Sequence, residues 1–425
     1  MIDVFSKLVK DGGPLGQHVE RAHGYFAFPK LEGELGSRML FRGKEKIVWS
    51  LNNYLGLVNH PETRLADTRA AEKWGIGYPM GARMMSGNST NHENLEELIA
   101  NFVGREDAML LNFGYQGIMS CIDALVNRRD VIVYDAESHA CIVDGIRLHM
   151  GFSYAFRHNN VEDCEKQLQR AQKMAEKNGG GVLVITEGVF GMSGNQGKLK
   201  EIVELKKKYT FRLLIDDAHG FGSMGPTGAG ADEEQGCQAG VDLYFSTFVK
   251  SMGSIGAFIS GPKKVMTYLR YNVRSQIFAK SLPMMIVEGM ITRMEMLKTM
   301  PELRKKLWHN VNRLQTGLRD KGFDIGTTNS PVTPVYMKGD LPEATGMVMD
   351  MRENYNIFCS VVVFPVIPKG QIIFRLIPTA AHTDEDTDIT LKAFEETKKK
   401  LDAGLYQAEE IPDMADAGKG MMGDM

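Results

Sequence analysis

Lys250 lies in a polar turn between two apolar, strand-like runs, Leu243–Phe245 and Ala257–Ile259, with Gly253 and Gly256 just behind it. Most lysines only sit in solvent. An amine that follows a buried strand and precedes a turn open to close approach can instead form a Schiff base with a carbonyl. Upstream, Arg212–Gly222 reads as a buried strand that ends in Asp216, Asp217 and His219 before breaking at Gly220 and Gly222. Carboxylates at the carboxyl end of an apolar strand in an α/β sheet lie where such sheets bind ligands. A pyridoxal 5'-phosphate site needs both pieces, because an Asp must keep the pyridine nitrogen protonated if the ring is to accept electrons.

Several other elements have to converge on that pair. Leu111–Gly117 is an apolar segment that breaks at Gly114 into a helix, and a helix start entered through glycine offers free N–H groups to a phosphate. Gly114, Tyr115 and Gln116 are therefore candidate phosphate contacts. Val131–Ala140 reads as a buried strand ending in His139, and Gly181–Glu187 as another. The glycine-punctuated loop Gly75–Asn88 carries Arg83, and an amphipathic helix follows with Asn91 as candidate N-cap and His92 in its first turn. A histidine there serves more often as a capping or surface residue than as a catalyst.

At 425 residues the chain is long enough for two or more domains. Its 50 basic and 53 acidic residues are near balance, which gives no electrostatic case for nucleic acid. Cys121, Cys141, Cys164, Cys237 and Cys359 are scattered without metal-ligand spacing and read as reduced thiols, so no metal is expected. No apolar run reaches the ~20 residues of a membrane span, and the start has no signal-peptide core, so the expected location is cytoplasmic. Peripheral membrane contact stays open. Methionine, at 27 residues, serves mainly as core filler but also suits lipidic ligands.

The ordered set Asp216-Asp-Ala-His219 and Thr247-Phe-Val-Lys250 resembles the α-oxoamine synthase family, over roughly residues 20 to 400. These are fold-type I pyridoxal phosphate enzymes that join an amino acid to an acyl thioester with loss of CO2. The resemblance implies an α/β fold, with a large domain of mostly parallel sheet wrapped by helices and a smaller α+β C-terminal domain. The boundaries expected are an N-terminal helix and aromatic strap over 1–45, the large domain over 46–285, the small domain over 286–405 and a disordered tail over 406–425. One long helical stretch from Pro283 to about Asp320 links the two domains. The aromatic segment Gly24–Pro29 lies either at the active-site mouth or as a strap on the partner domain.

The resemblance also assigns roles. Lys250 holds the cofactor and takes the Cα proton, Asp216 keeps the pyridine nitrogen protonated, His219 supports the phenolic oxygen, and His139 stacks on the ring, where a neutral imidazole can also hydrogen-bond the substrate carboxylate and act in proton transfer. Gly114, Tyr115 and Thr247 join the cofactor-binding set. Asn52, from Leu51-Asn-Asn-Tyr-Leu-Gly-Leu57, contacts the substrate end; Arg375, from Arg375-Leu-Ile-Pro-Thr-Ala-Ala-His-Thr383, clamps the α-carboxylate; Arg83 and Lys280 join the substrate set. A homodimer is implied, with an amino acid and acyl-CoA or an acyl carrier protein thioester as partners.

Within the family, His158–Asp163, Gly322–Gly326 and Val363–Pro368 are most similar to bacterial serine palmitoyltransferases. Three departures fall in the loop Gly188–Gly197: Gly191 for a serine, Ser193 for an acid and Asn195 for an aspartate. The first puts a contact to the phenolic oxygen in doubt. Less negative charge there, with the added Lys280, suits an amino acid whose side chain is an anion and favours cysteate over serine. An aminotransferase, a family member using glycine or alanine with short acyl groups, and a relative with a decayed site are the alternatives. Release of free thiol separates the first of these.

Overall fold

The computed structural model describes residues 2–11, 16 and 22–408. Strands β1 (Leu31–Glu32), β2 (Arg38–Phe41) and β3 (Lys44–Val48) come first in the chain. β4 (Asp107–Leu111), β5 (Val131–Asp135), β6 (Phe152–Phe156), β7 (Val182–Glu187), β8 (Arg212–Asp216), β9 (Leu243–Thr247) and β10 (Ala257–Gly261) follow. β11 (Thr333–Tyr336), β12 (Ile357–Phe358), β13 (Ser360–Val362) and β14 (Ile373–Leu376) come last. The chain divides into two compact units, a central one of Asn52–Leu307 and a terminal one that joins the residues up to Leu51 with those from Trp308.

In the central unit seven strands form one sheet in the order β4-β10-β9-β8-β7-β5-β6, and only β10 runs against its neighbours. Every side chain of β7, β9 and β10 is buried. Strands covered on both faces read as unbroken apolar runs, which is why Val182–Ile185 shows no alternation. Helices fill the connections. Val161–Asn178 starts where Asn160 accepts the Asp163 N–H at 2.7 Å and stops at Gly179, in the left-handed region at φ 68°. One core cluster joins Met109, Ile122, Ile132, Ile142, Leu214, Phe245 and Ile259.

The terminal unit holds the sheets β1-β2-β3-β12 and β11-β14-β13. Its division differs from the boundaries expected at 45 and 285. β3 pairs in parallel with β12 (Ile47↔Ile357), so residues 46–51 cluster with the C-terminal residues. Residues 286–307 fall in the central unit, where Met284–Thr299 packs on the helices Pro61–Trp74 and Thr90–Phe102. The single helix expected from Pro283 is two, Met284–Thr299 and Pro301–Asp320. Met300 leaves helical geometry (φ −121°, ψ 60°) because a residue before proline is pushed out of the α region.

Tyr25 of the aromatic segment is fully buried, packed edge-on against Phe26 and Phe41, and donates to Glu353 Oε1 at 2.9 Å. Beneath it the buried Arg352 donates to the Tyr25 and Cys359 carbonyls and lies over the Phe358 ring. The segment is thus a strap within the terminal unit. The helix expected near the N-terminus covers Val4–Asp11. The expected disordered tail lies outside the described residues from 409 onward.

Candidate active site

The lysine turn is shaped by its glycines. β9 ends at Thr247, Phe248 N–H donates to the Gly256 carbonyl at 2.9 Å, and the Gly253 N–H returns to the Lys250 carbonyl at 3.0 Å. Gly253 (φ 56°) and Gly256 (φ 115°) occupy conformations that side chains resist. A Cβ at Gly253 would stand 2.5 Å from Val58, and one at Gly256 2.9 Å from the Phe248 ring. The close approach that these glycines permit is therefore made by protein. Lys250 is left half-buried at the carboxyl ends of the parallel strands.

Asp216 closes β8, 5% exposed, and accepts the Ala218 N–H at 3.1 Å. One strand over, Glu187 closes β7 in register with it. Two carboxyls this close and this buried do not ionise together. Burial, then the charge of Asp216, drives the Glu187 pKa far above its ordinary value. Burial also raises that of Asp216, but Lys250 and His139 pull it back. Of the two, Glu187 is pushed furthest toward its neutral form, while Lys250 and His139 favour the ionised form of Asp216. The Glu187 Oε1 accepts the backbone N–H of His139 at 2.6 Å. His139 caps the helix Ala140–Leu148, and desolvation, with Lys250 adding and Asp216 opposing, keeps its imidazole below the usual pKa.

His219 is buried, and its Nδ1 lies 2.7 Å from the Tyr54 hydroxyl. A Cβ on Gly191 would come within 2.3 Å of His219 Nε2, so the imidazole stands where a side chain at 191 would begin. The helix Gly114–Leu125 starts without a side-chain cap, and its first intrahelical bond runs from the Gly117 N–H to the Phe113 carbonyl. The N–H groups of Gly114, Tyr115 and Gln116 precede that bond. A Cβ on Gly114 would meet Thr247 Oγ1 at 3.3 Å, so glycine keeps this cradle open beside a hydroxyl. A half-buried amine, a buried carboxylate, a buried imidazole and an uncapped helix start with a neighbouring hydroxyl are together a set that could hold pyridoxal phosphate.

Other expected residues are placed differently. The Tyr115 hydroxyl donates to Asp144, and its ring stands edge-on to His139 at 6.2 Å. The Arg83 guanidinium is taken up by Glu96, with two bonds of 3.0 Å, and by Asn88 at 2.7 Å. Glu96 also accepts the Leu110 N–H, so Arg83 is tied to its loop, the helix Thr90–Phe102 and β4. Lys280 is exposed and donates to the Gly77 carbonyl at 2.7 Å. The N-cap expected at Asn91 is Ser89, which accepts the His92 N–H, and Asn91 donates to Glu288 instead. His92 is buried, bonded to the Leu282 carbonyl and Ser89, and burial lowers its pKa to about 4. Asn52 is half-buried at the start of the central unit, and Arg375 lies on β14 in the terminal unit, 8% exposed.

Glu187, Cys141 and Tyr54 carry no expected role from the sequence. A strand-end acid in register with Asp216 could have been found by aligning the last residues of successive buried runs. The contacts of Cys141 and Tyr54 have no such signal, because each depends on a fold-back across a turn or between distant segments.

The profile of the aminotransferase class I and II family matches residues 44–394. A cysteate-C-fatty acyltransferase from Capnocytophaga ochracea is 60% identical over 408 residues, 96% of this chain and 97% of its own. An 8-amino-7-oxononanoate synthase from Thermoanaerobacter pseudethanolicus is 36% identical, covering 91% of this chain and 96% of its own. Among solved structures, a serine palmitoyltransferase from S. paucimobilis with bound PLP and myriocin matches with a TM-score of 0.86 and 29% identity, covering 95% of this chain and 100% of that one.

Proposed function

Because the chain belongs to the class I and II aminotransferase family and, within it, to the α-oxoamine synthases, we propose that it condenses cysteate with a long-chain acyl thioester, the first step towards a sulfonolipid. The observation that carries this reading is the 60% identity to a cysteate-C-fatty acyltransferase over nearly the whole of both chains. The loop Gly188–Gly197 supports it, since Ser193 and Asn195 leave that stretch without carboxylates.

The cofactor is pyridoxal 5'-phosphate, which supplies an electron sink for the pair left on Cα when a proton or carboxylate departs. Lys250 would hold it and, once displaced, take the Cα proton. Cα then bonds to the acyl carbonyl carbon, the C–S bond breaks with release of a thiolate that takes a proton from solvent, and the Cα–carboxyl bond breaks as CO2. Lys250 would return its proton to Cα. Asp216 would face the ring nitrogen in its ionised form, and His219, held by Tyr54, would face the phenolic oxygen. The Gly114–Gln116 N–H groups and Thr247 would take the phosphate. Arg375 would clamp the substrate carboxylate, Asn52 would contact the substrate end, and Lys280 would reach the sulfonate.

The active form in this reading is a homodimer acting in the cytoplasm. The outward-facing Ile76, Met80, Met85, Tyr271 and Phe278 of the central unit support a partner surface. Among the described residues no helix is long and apolar enough to cross a membrane. Exposed Val4, Phe5 and Leu8 on the first helix support peripheral contact with one.

Spectral titration of the loaded protein with cysteate and with serine, alongside thiol release from an acyl-CoA, tests the substrate. Cysteate should bind more tightly and release thiol faster, and Lys280→Ala should weaken cysteate several-fold while leaving serine unchanged. Tighter binding and faster release with serine would make this a serine enzyme like its solved structural relatives.

A further inference from the structure

His139 is held at two points by residues that have no role in the reaction described above. Its backbone N–H donates to Glu187, and its Nδ1 accepts the backbone N–H of Cys141 at 3.3 Å. The Cys141 sulfur lies 2.9 Å from the same nitrogen. An amide N–H can only donate, so Nδ1 must present its lone pair, and the thiol that shares this nitrogen has its own proton to offer. Cys141 is 4% exposed, and burial, with Asp216 and Glu187 adding, keeps the thiol protonated. A neutral imidazole that accepts at Nδ1 carries its hydrogen on Nε2.

We propose that Cys141 is a positioning residue whose amide and thiol lock His139 in the Nε2–H tautomer, so that the ring offers an N–H donor rather than a lone pair to the substrate. A donor can hold a carboxylate or developing oxyanion oxygen, and it has no lone pair there with which to take the Cα proton. That task falls to Lys250. Protonating the ring would place an Nδ1–H against the amide donor and forfeit the bond from the thiol, so the lock also resists the imidazolium. The charged groups that face the imidazole are Lys250 and Asp216. Glu187 faces its backbone N–H, and Tyr115 presents a ring edge with its hydroxyl turned to Asp144. The inference rests on the proposed function only for what lies beyond Nε2.

The test uses full-length, cofactor-free protein labelled with 15N-histidine, with the His139 signals assigned by their loss in His139→Asn. The wild type should show a protonated Nε2 and a bare Nδ1 at neutral pH. Cys141→Ala keeps the amide and removes the thiol, so the Nε2–H tautomer should persist while the His139 titration midpoint rises by roughly half a pH unit. Cys141→Ser, whose hydroxyl donates, should restore the wild-type midpoint. A wild-type ring protonated on Nδ1, or a Cys141→Ala protein with an unchanged midpoint, would overturn the proposal. The wild-type reading needs no variant to fold. If the tautomer is as stated and cysteate is not a substrate, only the substrate assignment fails.

Discussion

Restoring the family's serine at Gly191 should damage this protein. The new Cβ would lie 2.3 Å from His219 Nε2, 2.9 Å from Cδ2 and 3.1 Å from Cε1, well inside van der Waals contact. The imidazole cannot swing aside freely, because its Nδ1 is tied to the Tyr54 hydroxyl at 2.7 Å and its carbonyl accepts from Ser223 at 2.7 Å. Overpacking of this kind costs about 1–3 kcal/mol. If the strain is relieved by displacing His219, the whole cost falls on cofactor affinity, which should weaken about 5- to 150-fold. The assay is an absorbance titration of pyridoxal phosphate onto stripped Gly191→Ser protein, with a urea midpoint measured beside it. Tyr54→Phe cuts the tether at about 1 kcal/mol, and the double variant should cost less than the sum of the two because the ring is then free to move. A Gly191→Ser protein with wild-type affinity and midpoint would refute the packing argument.

Lys250→Ala should fold and bind pyridoxal phosphate without the absorbance band of the covalently held form; a wild type that stays colourless with added cofactor would sink the enzyme reading. Arg375→Ala should weaken the amino acid by about 10- to 150-fold, the worth of a charge-assisted pair of roughly 1.5–3 kcal/mol, and leave cofactor affinity unchanged; equal loss of both would show that the arginine does not meet the substrate carboxylate. His92 has a folded pKa of about 4 against 6.5 unfolded, so below pH 6.5 the unfolded chain binds a proton that the folded chain refuses. Stability should therefore fall from pH 6.5 to pH 4 by at most about 3 kcal/mol through this group, and His92→Gln should flatten that loss; parallel urea midpoints at pH 7 and pH 5 would show it.

Buried parallel strands leave a strong mark in a sequence: β8 ends at Asp216 and β9 at Thr247, whereas the strand expected to run on to His139 stops at Asp135, and His139 caps the helix that follows. Helix starts were weaker signals. Ser89 outcompeted Asn91 as N-cap because the asparagine was drawn to Glu288, a partner 197 residues away. Arg83 looked like a substrate residue in its glycine-rich loop, and nothing local shows that Glu96 claims it. The division of the chain at Asn52 and Trp308 is not legible locally, because it follows a pairing of β3 with β12 across some 300 residues of chain. Gly191 stood out as a departure from the family, but its meaning came only with the position of His219.

The position of β10 fixes an order of events during synthesis. Among the described residues β4 pairs only with β10, and the row Leu111↔Ala257↔Thr247 sets the strand that leads into Gly114 level with the end of β9. Residues 107–111 leave the ribosome about 150 residues before 257–261 do. Until then β4 has no strand to pair with, and the Gly114 N–H groups have no fixed distance from Thr247. The nascent chain must carry an apolar strand unpaired for that whole interval, which is the exposure that draws chaperones. If pyridoxal phosphate is held as proposed, by the Gly114–Gln116 N–H groups and Lys250 together, its capture waits until the seventh strand of the sheet is complete.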